Sequence, residues 1–322
     1  MKRFIRREFL SLLGTGFFLS KSNTISTGSS RVRHPGRVVS VKRNTSNTLT
    51  GEEISNMLDK AISTLTGIKN SHDAWLSLFN PQDHVSIKVN CLGGMMMSSN
   101  PHIALSLANK LISCGIRKRN ILIWDRSTRE LKESGYPVNI GGSDIQCFGT
   151  DEVGYSQKLF EHDSVGSLFS RIVTDFSSKI INLPVLKDHG ICGLTFALKN
   201  HFGSINNPNK YHLNKCNPYI ADLNKIPLIR EREVLVVGDA TYIQVDGGPA
   251  YKSHWARRLN TILMADDPVA MDRVALGILE AERKKLKRPP LASVDLYPDY
   301  IETAWKKGIG EAKNIEHIKI NI

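Results

Sequence analysis

Residues 180–203 read IINLPVLKDHGICGLTFALKNHFG, and the fold turns on how this stretch divides. IINL (180–183) is short, apolar and rich in β-branched residues, as a strand buried on both faces must be. Pro184 breaks it, so Lys187 and His189 are expected on a loop. The spacing that follows predicts a helix around 193–201. On that helix Thr195 and Lys199 stand four apart and share one face, while Leu194, Ala197, Leu198 and His201 define another. Two lysines, the amide of Asn200 and two imidazoles thereby gather in apolar surroundings. Such a donor-rich, electropositive pocket suits a carboxylate or phosphate. A lysine crowded by another cation has a lowered pKa and can act as base or nucleophile.

Working outward, the same alternation of strand and helix recurs. Thr50 and Glu53 form a capping box for a helix over 50–67, with Ile54, Leu58, Ala61, Ile62 and Leu65 as its apolar stripe and Gly67 as its stop. HVSIKVN (84–90) reads as a strand. Asn100 and Pro101 open a second helix that ends at Gly115. ILIWD (121–125), VLVVGD (234–239) and TILMADD (261–267) read as further strands, the last followed by a helix from Pro268. Parallel βαβ units follow, hence a three-layer α/β fold with a mostly parallel sheet flanked by helices. KNIEHIKINI (313–322) alternates like a half-exposed accessory strand at a sheet edge. The expected organisation is a signal region over 1–30, a linker over 31–49 and a single domain over 50–322.

Ligands of open α/β sheets bind beyond the carboxyl ends of the strands. Those ends carry Lys88 and Asn90, Asp125, Lys187 and His189, Asp239, and Asp266 with Asp267. Lys88 interrupts a buried strand, so its ammonium either finds a partner or snorkels to solvent. Asn90 and Gly93-Gly94 make a turn whose backbone N–H groups can approach an anion. VDGGP (245–249) is a plain turn or else sets Asp246, Gly247 and Gly248 at a ligand. Asp239 and Asp267, with Asp246, could hold a divalent cation through oxygen. His189, His201 and His212 are separated by 12 and 11 residues, which matches no compact metal motif. They are better read as hydrogen-bonded or substrate-facing. No GxGxxG, Walker loop, GxSxG or HExxH occurs. The cofactor stays unknown, with a divalent metal as one candidate.

The formal charge of +12 suggests nucleic acid until its distribution is read. Residues 1–43 carry ten Lys/Arg against Glu8 alone, which leaves a nearly neutral body without the aromatic-interleaved basic face that nucleic-acid binding requires. Cys91, Cys114, Cys147, Cys192 and Cys216 include no CxxC, so no iron-sulfur motif is encoded. The first thirty residues have a basic start, an apolar run too short to span a bilayer, and a polar tract, which is the layout of an export signal. Arg6-Arg7-Glu8-Phe9-Leu10 resembles a twin-arginine signal. It predicts engagement of the twin-arginine machinery, a periplasmic or outer-face location and no permanent membrane span.

Taken together, Pro184, Lys187 and His189; Gly193, Thr195, Lys199 and Asn200; Gly247, Gly248 and Pro249; and Asp267, Pro268, Ala270 and Asp272 resemble the signature of the domain of unknown function 362 family, over about residues 85–280. The resemblance implies redox- or cofactor-linked chemistry, with a separate redox partner because this chain lacks clustered cysteines. The readings carried forward are an exported protein that binds an anionic small molecule or cofactor through Lys88, Lys187 and Lys199 with His189 or His201 moving protons, or a metal- or cofactor-binding maturation protein without turnover. A third leaves the lysines satisfied by internal carboxylates such as Asp239 and Asp267.

Overall fold

The computed structural model describes residues 33–322; the signal expected over 1–30 lies outside the described residues. The main sheet runs in the order β12 (Glu316–Asn321), β1 (Arg37–Lys42), β11 (Ala256–Ala265), β10 (Glu233–Gln244), β7 (Lys179–Asn182), β2 (Val85–Lys88), β3 (Ile121–Trp124) and β4 (Gln146–Cys147). β8 (Val185–His189) continues along β10 where β7 leaves it, and β9 (Gly193–Thr195) folds back on β8. Pairing is parallel except for β1–β11, β10–β11 and β8–β9. A separate hairpin joins β5 (Tyr155–His162) to β6 (Val165–Ser170).

Successive strand residues point to opposite faces, and the sequence supplies apolar side chains to both. Val39, Ile87, Ile123, Ile181, Val237 and Met264 pack on one side against helices α1 (Gly51–Thr66) and α2 (Pro101–Ser113). Val38, Leu122, Ile180, Val236 and Leu263 pack on the other against α3 (Ala197–Asn200), α4 (Tyr219–Lys225), α5 (Pro268–Lys285) and α6 (Tyr300–Lys306). This is the expected three-layer α/β arrangement. The capping box of α1 forms, with Thr50 Oγ1 accepting from Glu53 N at 3.2 Å and Glu53 Oε2 from Thr50 N at 2.9 Å, and Gly67 closes the helix at φ +75°. The C-terminal strand takes the sheet edge beside β1.

Two local expectations are corrected. Within the stretch expected as a linker, Arg37–Lys42 is a strand held between β11 and β12. Lys187 and His189 lie in β8 rather than on a loop, and no helix starts at Gly193. Gly193 has φ +76° and its Cα is so close to the Leu296 carbonyl that a Cβ would sit 1.8 Å from it. The chain therefore turns there, pairs as β9, and begins α3 only at Ala197. What starts α3 is distant in sequence: the Asp272 carboxylate of α5 accepts from Ala197 N at 2.7 Å and Leu198 N at 3.2 Å.

Candidate functional site

The register of β8 and β9 builds one wall. Lys187 is opposite Thr195 and His189 opposite Gly193, so Lys187, His189 and Thr195 share a face while Asp188 takes the other. On that other face Asp188 accepts from Gly248 N at 3.0 and 2.9 Å. Gly248 has no room for a side chain there, since a Cβ would lie 2.3 Å from the Asp188 carbonyl oxygen. The Gly-Gly-Pro turn thus fixes β8. Asp246 turns away to ion-pair with Arg288 at 2.5 Å and Arg283 at 3.5 Å.

A continuous polar chain runs beneath this wall. Lys187 Nζ donates to Asn90 Oδ1 at 3.0 Å and the Met97 carbonyl at 3.3 Å. Asn90 Nδ2 donates to Asn200 Oδ1 at 3.4 Å, and Asn200 Nδ2 to Asn182 Oδ1 at 2.8 Å. Asn182 Nδ2 donates to Glu233 Oε2 at 2.7 Å, which also contacts His201 Nε2 at 2.7 Å. Lys88 does not snorkel: its buried ammonium is 2.7 Å from Asp125 Oδ1 and 2.6 Å from the Val89 carbonyl, with Asn200 Oδ1 at 3.5 Å. Asp125 in turn accepts from Cys91 N at 2.6 Å. Lys88, Asn90, Lys187, Asn200 and His201 are therefore joined in one hydrogen-bonded network, but Lys88, expected to meet an anionic ligand, is neutralised by Asp125. Asn182 and Glu233 were missed, although an Asn closing an otherwise apolar strand was a visible signal.

Lys199 and His212 lie beside His189. Lys199 Nζ lies 3.4 Å from His212 Nε2 and 4.8 Å from the centre of the Phe202 ring. His212 Nδ1 is 3.0 Å from the Pro208 carbonyl, which fixes Nδ1 as the protonated nitrogen and leaves the Nε2 lone pair for Lys199. His189 stacks on His212 with ring centres 5.6 Å apart. Its Nδ1 accepts from Ile191 N at 3.2 Å, so the neutral ring keeps Nε2–H as a donor.

The electrostatics separate these lysines from Lys88. Among the described residues neither Lys187 nor Lys199 makes an ion pair, and Asp125, whose charge reaches Lys187, is already held by Lys88. Burial, reinforced by the nearby Lys199 charge, lowers the Lys187 amine to about 8. Burial and the same cations push His189 down to about 2, so it stays neutral across the physiological range. The Thr195 hydroxyl, opposite Lys187, is buried without a hydrogen-bond partner among the described residues. Native proteins seldom leave such a group unsatisfied. The Cys192 and Cys216 thiols hydrogen-bond each other beside Lys199; burial raises Cys192 while that bond lowers Cys216.

The remaining carboxylates do not join this cluster. Asp239 accepts from Asn100 N at 2.8 Å and from Thr241 N and Oγ1 at 2.9 and 2.6 Å, which anchors the start of α2. Asp267 caps α5 through Val269 N and Ala270 N, both at 3.0 Å, and also holds Gly36 N and Glu311 N. The expected pairing of Asp239 and Asp267 around a divalent cation is therefore not formed. Among the described residues no group of three or more His, Cys, Asp or Glu is placed to hold a metal. Nor do the two aspartates serve the buried lysines. An open surface depression of about 390 Å³ beside Lys42, Arg43 and Arg258 lies apart from the cluster, and its Arg43 is paired with Glu53. What sets Lys187, Lys199 and Thr195 apart is that two buried lysines without a carboxylate partner lie with a buried hydroxyl that lacks a hydrogen-bond partner among the described residues. No helix among the described residues is long and apolar enough to cross a membrane.

A sequence profile described as Domain of unknown function (DUF362) matches residues 85–277. No curated protein matches the chain. The lactate racemase apoprotein from Thermoanaerobacterium thermosaccharolyticum resembles it with a TM-score of 0.44 and 10% identity, over 77% of this chain and 58% of that one. A protein from Thermotoga maritima does so with a TM-score of 0.40 and 10% identity, over 73% and 59%. The chain thus spans less than two thirds of either structure.

Proposed function

The chain belongs to the DUF362 family, and on that premise we propose that it binds a small anion between Lys187 and Lys199, with the Thr195 hydroxyl as a third donor. The observation that carries the reading is the pair of buried ammonium groups without a carboxylate, next to a buried hydroxyl without a partner. Burying unpaired charge is costly, and an entering carboxylate or phosphate removes that cost while gaining charge-assisted hydrogen bonds. The neutral Nε2–H of His189 supplies a further donor. An amine lowered to about 8 makes Lys187, rather than His189, the group suited to take up a proton as an anion binds. His201 is committed to Glu233 and Ser204 and supports the site through the amide chain.

The twin-arginine layout of residues 1–30 supports export as part of this proposal, with the anion met outside the cytoplasmic membrane. The reading is tested by thermal unfolding against a panel of carboxylates, phosphates and divalent metals. Stabilisation by an anion that disappears in Lys199→Met supports it. A panel that stabilises the wild type and the variant equally contradicts it.

A further inference from the structure

The buried polar groups at Lys187 and Lys199 sit beside segments that also expose apolar side chains. Three segments surround them. The stretch between β2 and α2 supplies Asn90 and the Met97 carbonyl to Lys187. The turn between β8 and β9 follows His189, and the segment Pro208–Cys216 carries His212, stacked on His189. On these same segments Leu92, Met95, Met96, Ile191 and Leu213 are exposed, Met95 at 68% and Leu213 at 71%. They account for five of the nine large apolar side chains exposed among the described residues, so the exposure is concentrated here rather than scattered. Isolated exposed apolar residues need no explanation, whereas their concentration on the segments that meet buried ammoniums without a carboxylate points to a ligand.

Resting on the anion reading above, we propose that the ligand is amphipathic: a carboxylate or phosphate head seated between Lys187 and Lys199, and an alkyl chain lying over Leu92, Met95, Met96, Ile191 and Leu213. Charge complementarity selects the occupant. A flat protein partner would use the apolar rim and leave the buried ammoniums unmet, while a short hydrophilic anion would use the ammoniums and leave the rim in water. Only a molecule with both ends satisfies both features. The unbranched, polarizable side chains of Met95 and Met96 adapt to a flexible chain without a fixed shape.

The experiment is calorimetric titration of the full chain with acetate, hexanoate and decanoate below micellar concentrations, and with the matching alkyl phosphates. Affinity is expected to rise about two- to fourfold per methylene over the first carbons. In the Met96→Gln/Leu213→Gln double variant that gain should fall towards none. In Lys199→Met every chain length should bind more weakly. Preference for one head series over the other identifies the head group. Chain-independent affinity in a wild type that binds acetate would overturn this inference alone. Failure of every anion to bind would overturn the pocket reading and this inference together. A concentration-dependent dimer abolished by the double variant would assign the rim to a second copy instead, and so would also overturn it.

Discussion

Lys187 donates its buried ammonium to the neutral side chain of Asn90 at 3.0 Å, and no carboxylate among the described residues completes the pair. Across the same amide chain Lys88 has Asp125 at 2.7 Å. Two buried lysines joined through Asn90 and Asn200 therefore have opposite states, one neutralised by the protein and one left to be neutralised by something else.

Lys88 should accordingly behave as a structural cation. Removing one partner of a buried ion pair leaves the other charge uncompensated, so Lys88→Met should destabilise the protein by about 3–5 kcal/mol. Lys88→Met combined with Asp125→Leu should cost less than the two single changes added together. Chemical denaturation of the four proteins of this cycle measures the coupling. Additive losses would show that the pair contributes nothing.

Thr195→Val separates stability from binding. Its hydroxyl makes no hydrogen bond in the free protein, so the near-isosteric change should leave stability within about 1 kcal/mol of wild type or raise it. Anion affinity should nevertheless fall about tenfold, the worth of one charge-assisted bond. Equal anion affinity in the two proteins would remove Thr195 from the site.

The lowered amine of Lys187 has a pH signature. Its folded pKa of about 8 lies below the unfolded lysine value of about 10.4, so between these values the unfolded state binds more protons. Stability contributed at this position therefore rises with pH across that window, by on the order of 3 kcal/mol, and the burial penalty is fully present below about pH 8. The difference in unfolding free energy between wild type and Lys187→Met, followed from pH 7 to 10.5, should show this slope. A pH-independent difference would mean that the amine is not perturbed.

Gly193→Ala tests the hairpin that aligns Lys187 with Thr195. With φ +76° and the Leu296 carbonyl in the space a Cβ needs, the substitution should cost more than about 2 kcal/mol and weaken anion binding as the register loosens. Urea midpoints and a titration of the same sample report both effects. A fully stable variant would contradict the packing described for this turn.

Much of the frame was legible because it depends on periodicity: the β-branched runs, the capping box at Thr50 and Glu53, and the Asn100–Pro101 helix start are local signals. The site was legible in composition but not in shape. Lys187, Lys199, Asn90 and Asn200 were all identified, yet the helix drawn through Gly193 and Thr195 is a strand. The carboxylate of Asp272, which starts α3, stands 75 residues away and leaves no local mark. Glu233 was invisible for the same reason, since only the parallel pairing of β7 with β10 brings it to Asn182. Asp239 and Asp267 stay open to a metal reading in the sequence because an aspartate that holds backbone N–H groups and one that binds a metal look alike there.

If the proposed anion completes the charge balance of Lys187, its binding is accompanied by proton uptake. At pH 8.5 the free amine is largely deprotonated, and a bound anion restores its proton. Calorimetric titration in two buffers of different ionisation enthalpy should show net uptake of about half a proton or more per anion bound. Lys187→Met should show none. Identical proton counts for the two proteins, with binding intact, would contradict the account.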